Sequence, residues 1–142
     1  MYVFDAYGTL FDLDAAARKA ATEPGMEALI DLWLPISRGW RERQLRYSWL
    51  CSMMGRYDDF WELTSRALDA TLEEHGLASK EKVRDRLLSL YEELSAYEEV
   101  PGMLTNLKGA GHKLAVLSNA SPKMLETATK AAGIFQHFDA LI

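Results

Sequence analysis

The segment from Pro101 to Ile142 constrains the fold more than any other part of the chain. "PGMLTNLKGAG" opens on a proline and closes on glycines, the punctuation of a short helix. "HKLAVLSN" is an apolar run of strand length that ends in polar Ser118-Asn119. "SPKMLETATKAAG" places Ser121 as N-cap and Pro122 as first residue of a second helix, and "FDALI" begins another strand. Strand, helix and strand in this order form a βαβ unit, which requires a parallel sheet.

A parallel sheet needs further strands, and the N-terminus supplies one. Tyr2-Val3-Phe4 reads as a short buried strand that runs directly into Asp5. From Asp14 to about Leu94 the chain is helical in character. "LDAAARKAATE" is interrupted by Pro24-Gly25; "MEALIDLWL" resumes a helical period that Pro35 is expected to kink or end. A helix through Trp40 and Leu50 stops at Gly55. The next begins at capping aspartates, ends at Gly76, and buries Phe60, Leu63, Ala67, Leu68 and Leu72 on one face. A further amphipathic helix follows, with Ser79 as its expected N-cap. This block is too long for a simple crossover. The expected organisation is a first strand and loop over 1–13, an inserted helical domain over 14–97, and the continuation of the sheet over 98–142.

Composition narrows the function classes. The 142 residues are 49% hydrophobic, enough for a core, with a net charge of −5. No basic block points to nucleic acid, and an acidic protein must build any anion site locally. One cysteine, Cys51, excludes an intrachain disulfide and suits a reducing compartment. No apolar run approaches the ~20 residues of a membrane span, and no signal-peptide pattern opens the chain, so the expected location is cytoplasmic. Cys51 has no evident partner and reads as a filler. His75, His112 and His137 are scattered, and nothing spaces like a metal site. Trp33, Trp40, Trp49 and Trp61 suit a helical core or a dimer interface.

Two loops leave the carboxyl ends of strands in the same parallel sheet, Asp5–Thr9 and Ser118–Ser121. Ligands of open α/β sheets bind at those ends. Asp5 brings a carboxylate there. Ser118 and Asn119 bring hydroxyl, amide and backbone N–H groups, and the helix start at Ser121 suits an anion. The competing explanation is that Asp5 and Asn119 only cap turns.

"FDAYGTLFD" and "LAVLSNASP" resemble the first and second motifs of the haloacid dehalogenase superfamily. "WRERQLRYSWLCSMMGRYDDFWELTSRALDATLEEHGL" is similar to the cap-domain signature of its type II branch, the L-2-haloacid dehalogenases. The resemblance implies a fold of class α/β, a partial Rossmann-like parallel sheet with an inserted α-helical cap. It also gives Tyr7 a meaning. Phosphatases of the superfamily carry Asp at that position, as an acid for a poor alkoxide leaving group. A halide leaves as a stable anion and needs no proton. Tyr7 would then line the substrate pocket.

The resemblance implies hydrolytic, metal-independent dehalogenation of short L-2-haloacids to D-2-hydroxyacids, with no cofactor. Asp5 would be the nucleophile, forming an ester that water then hydrolyses, and Thr9 would orient it. Ser118 and the backbone around Asn119 would bind the substrate carboxylate. Arg41, with the Asn119 side chain, would receive the halide. For Arg41 the competing explanation is a surface charge, since "RERQLR" holds three arginines. Leu45 and Phe60 match the apolar pocket lining, although both also suit a plain core. Glu42 departs from the family glutamine. The family continues past "FDALI" with a lysine-bearing motif and a water-activating acid, so the sequence reads as a C-terminally truncated member. The expected partners are a 2-halocarboxylate and a second copy, through the cap. The alternatives are a related hydrolase acting on another carbon electrophile, or an inactive module that binds or assembles.

Overall fold

The computed structural model describes residues 1–142. The chain divides into two compact units: Met1–Ala15 with Tyr91–Ile142, and Ala16–Leu90.

The first unit is built on three parallel strands in the order β1 (Tyr2–Phe4), β2 (Leu114–Val116), β3 (Ala140–Leu141). The register aligns Tyr2 with Leu114, Phe4 with Val116, and Val116 with Leu141. All three residues of β2 are buried, as its apolar run requires of a central parallel strand. β1 corrects the expectation of a buried strand: Tyr2 and Val3 are exposed and Phe4 is half-buried. It pairs on one side only, so half of its surroundings is solvent. Tyr2 instead meets its neighbours edge-on and face-on, the ring of His112 at 5.0 Å and that of Phe4 at 6.5 Å.

Two helices complete this unit. α5 (Val100–Gly109; the four α-helices before it in the chain lie wholly or mainly in the second unit) carries Pro101 in its first turn, where an N–H would have no intrahelical acceptor. α6 (Pro122–Ala131) starts as expected, with Ser121 Oγ accepting the Met124 N–H at 3.3 Å. Leu104, Leu114, Val116, Leu125 and Ile134 are fully buried. Asp139 ties three elements together. It accepts the Leu114 N–H at 2.8 Å and the Lys108 ammonium at 2.9 Å, so the start of β2, the last turn of α5 and the entry to β3 share one carboxylate. Residues 91–97, expected with the helical block, group with the sheet. Ser95 and Tyr97 pair through their backbone with Asp12 and Leu10, at 2.9 and 3.0 Å.

The second unit is helical: α1 (Leu13–Ala20), which begins in the first unit, then α2 (Trp33–Met53), α3 (Phe60–Glu74) and α4 (Glu81–Glu92). Pro35 neither kinks nor ends a helix. It sits in the first turn of α2, where it is tolerated, and "MEALIDLWL" forms only a 3-10 turn at Glu27–Leu29 before that helix. α2 stops before Gly55, and Asp59 caps α3 by accepting the Trp61 N–H at 2.8 Å. α2 and α3 approach closely at Gly39, where a Cβ would lie 3.3 Å from Thr71 Cγ2 and 3.1 Å from Arg43 Nη1. α4 starts after Lys80, whose carbonyl accepts from Val83 and Arg84, and not at a Ser79 cap. It is tied to α3 by Arg84 with Asp69 and Ser65, and Arg86 holds Glu23 through two hydrogen bonds of 2.6 and 2.7 Å. No helix is long and apolar enough to cross a membrane.

The Leu114 N–H and the Lys108 ammonium hold the Asp139 carboxyl below the usual carboxylate range. A depressed folded pKa contributes stability that is present above the unfolded value and lost as pH falls through the folded one. Acidification below about pH 4 is therefore expected to remove the contribution of this tie. Thermal midpoints measured across pH should fall less steeply in Asp139→Asn than in the parent.

Candidate active site

Asp5 follows β1 directly and is exposed. Thr9 Oγ1 donates to its Oδ2 at 2.8 Å. The turn that brings them together is built on the Ala6 carbonyl, which accepts from Leu10 at 2.8 Å and Phe11 at 3.1 Å, while the Gly8 N–H donates to Phe11 O at 3.1 Å. Gly8 has φ +87, a conformation that disfavours a Cβ. The Gly-Thr pair after Asp5 thus has two separate duties, a reversal of the chain and a hydroxyl that fixes one carboxylate oxygen.

Tyr7 is buried within the same unit, 3% exposed. Its ring stacks on Tyr91 at 5.1 Å and leans on Phe11 at 5.7 Å. Tyr91 is a neighbour the sequence did not disclose, since it lies far along the chain.

Ser118 and Asn119 leave β2 at the same carboxyl edge as Asp5. The Leu117 N–H donates to Phe4 O at 2.8 Å, extending the ladder and setting Asp5 at the level of Leu117. The Ser118 N–H donates to Ile142 O at 2.9 Å, and its Oγ accepts the Ala120 N–H at 3.2 Å. The hydroxyl proton of Ser118 is thereby directed away from Ala120. Asn119 is exposed at the turn. Asp5, Thr9, Ser118 and Asn119 therefore share one sheet edge, whereas Arg41, Leu45 and Phe60 belong to the helical unit.

There, Arg41 on α2 donates from Nη1 to Gln44 Oε1 at 2.9 Å. Gln44 Nε2 donates to Thr64 Oγ1 at 2.6 Å, and Thr64 Oγ1 donates to Phe60 O at 2.7 Å. The Thr64 carbonyl accepts the indole N–H of Trp40 at 2.8 Å. Gln44 and Thr64 are 1% and 0% exposed. Sequence reasoning missed both. The available signal was a polar residue on each apolar face, Gln44 three positions after Arg41 and Thr64 four after Phe60. Leu45 is half-buried and Phe60 is buried at the first turn of α3. Glu42 is turned to solvent in an i,i+4 pair with Arg46 at 2.5 Å. Cys51 has a partner that the sequence did not disclose, since its thiol donates to Asp58 Oδ2 at 3.4 Å; burial, with that carboxylate, pushes its pKa up, in keeping with a filler. No group of three His, Cys, Asp or Glu residues is placed to hold a metal.

Comparison with known proteins bears on this arrangement. Residues 1–142 match the model of the haloacid dehalogenase-like hydrolases. The chain belongs to that family. It is 46% identical over 142 residues to (S)-2-haloacid dehalogenase 1 of Pseudomonas sp. strain CBS-3, covering 99% of this chain and 60% of that protein. It is 42% identical over 140 residues to (S)-2-haloacid dehalogenase 4A of Burkholderia cepacia, covering 58% of it. Among solved structures it resembles a dehalogenase with TM-score 0.88 and 41% identity, covering 99% of this chain and 60% of that one. It also resembles the L-2-haloacid dehalogenase of Xanthobacter autotrophicus with chloropropionic acid covalently bound, with TM-score 0.82 and 39% identity, covering 99% and 55%. The chain thus spans about 60% of the length of the curated relatives it matches.

Gly8→Ala is expected to lower stability by roughly 1–2 kcal/mol, because a Cβ is placed on a left-handed backbone. Denaturant unfolding of the purified variant measures it.

Proposed function

We propose that the protein carrying this chain hydrolyses short L-2-haloacids to D-2-hydroxyacids through an ester on Asp5. The observation that carries the reading is the Thr9–Asp5 hydrogen bond of 2.8 Å at the carboxyl edge of the sheet, beside a buried tyrosine at position 7. One carboxylate is held for attack, and the position two residues on offers an aromatic ring where a phosphatase of the family would offer a second acid.

The first step is a displacement at carbon. With Oδ2 engaged by Thr9, Oδ1 of Asp5 attacks C2 opposite the halogen, the new O–C bond forms as the carbon–halogen bond breaks, and the halide leaves with its electron pair. Ser118 Oγ and the backbone N–H of Asn119 hold the substrate carboxylate, the N–H groups of Ser118 and Ala120 being already engaged. The family resemblance gives the halide to Arg41 and to the Asn119 side chain, and a guanidinium suits that role because it stabilises negative charge as it develops. Water then adds to the Asp5 carbonyl carbon. The bond from that carbon to the C2-bound oxygen breaks, one water proton passes to this oxygen and the other to solvent, so the carboxylate is restored and the hydroxy acid departs with inverted C2. No step calls for a metal or cofactor, because halide needs neither a proton nor charge neutralisation beyond these donors. The reading includes a cytoplasmic location and a homodimer through the helical unit, where Trp49, Leu50 and Met53 of α2 are exposed.

The test is halide release from L-2-chloropropionate in the presence of EDTA. Asp5→Asn is expected to lower it at least a thousandfold, about 4 kcal/mol of barrier. Retention of most of the rate by that variant removes Asp5 from the nucleophile role. Tyr7→Phe is expected to lower the rate by less than about tenfold, since no proton is transferred from position 7. Hydrolysis of a phosphate monoester by the parent, dependent on Mg²⁺, would contradict this account of Tyr7.

A further inference from the structure

We infer that Gln44 is a positioning residue for Arg41, with its amide oriented by the backbone of α3. The inference rests on the halide-receiving role proposed for Arg41. The direction of every bond in the chain Arg41–Gln44–Thr64–Phe60 is fixed from one end. The Phe60 carbonyl can only accept, so the Thr64 hydroxyl donates its one proton to it. Thr64 Oγ1 must then accept from Gln44, which turns the NH₂ of the amide toward α3. The Gln44 carbonyl is left facing Arg41, where it accepts from Nη1.

A guanidinium carries five N–H donors in a rigid plane, so fixing one of them fixes the direction of the others. Gln44 does this without charge. A carboxylate in its place would neutralise Arg41 and weaken it as an anion acceptor. The burial of Gln44 and Thr64 excludes competing water, and the β-branch of Thr64 restricts its own rotamer. A long, flexible arginine is thereby held by a short, buried chain of groups, and Glu42 next to it is drawn off to Arg46.

Leaving-group dependence tests this. Bromide departs more readily than chloride and asks less of the halide acceptor. In Gln44→Met, kcat/KM per folded enzyme is expected to fall about 10- to 100-fold for L-2-chloropropionate and clearly less for L-2-bromopropionate. A purely structural role would lower both equally, and an equal fall overturns the inference. Thr64→Val should shift the chloride-to-bromide ratio in the same direction, and Thr64→Ser, which keeps the hydroxyl, should recover most of the loss; this pair decides the matter if Gln44→Met does not fold. Arg41→Lys separates the two levels. If Arg41→Lys shifts the ratio while Gln44→Met and Thr64→Val do not, the inference alone fails. If Arg41→Lys leaves rate and ratio unchanged, or the parent releases no halide, the proposed role of Arg41 fails and the inference with it.

Discussion

The parallel pairing of β1 with β2 is the interaction on which the sheet unit depends. It joins Phe4 to Val116 and passes through the Leu117 N–H to the Phe4 carbonyl. Asp5 and Ser118 are neighbours only because of it. β1 has three residues and one partner, so the register rests on few bonds. A slip of one residue would send the Asp5 side chain to the opposite face. The long helical insertion does not defeat the pairing, because the entropy of closing a loop grows only slowly with its length. Asp139 reinforces it from the other side by holding the first residue of β2.

A second pattern recurs in both units. Asp5 is oriented by the hydroxyl of Thr9, and Gln44 by the hydroxyl of Thr64. In each case the threonine is itself fixed, by the reversed loop at Gly8 or by the helix carbonyl of Phe60. Threonine suits this duty because its branched Cβ limits χ1, so the hydroxyl stays where the backbone puts it. Polar groups are thus directed by main chain through one intermediary, and little side-chain freedom remains in either place.

What the sequence disclosed was local. Ser121 with Pro122, Asp59, Gly55 and Gly76 each act within a turn of their own position, and the structure uses all of them at helix ends. The Asp5–Thr9 bond was anticipated through the family resemblance, not from the spacing of the two residues. Pro35 was misread because apolar residues flank it on both sides. Whether a proline there ends one helix or begins the next depends on packing outside the segment. The exposure of β1 follows from how many partners it finds, which no three residues can state. Gln44 and Thr64 lie on different helices, and their meeting requires the α2–α3 approach that Gly39 permits.

Position 7 shows how far local chemistry is tied to the fold. Tyr7 lies against Tyr91 and Phe11, in a loop pinned by backbone pairing to residues 95–97. An aspartate there would bury a carboxylate against two rings. Desolvation would raise its pKa, and the lost ring contacts would leave a void. The second acid of a phosphatase therefore cannot be introduced at position 7 alone. It requires replacing the aromatic surroundings with groups that solvate or pair a carboxylate, and Tyr91 belongs to a segment far from the loop in sequence. The surroundings of position 7 are set by three aromatic residues, of which the motif itself contains Tyr7 and Phe11 but not Tyr91.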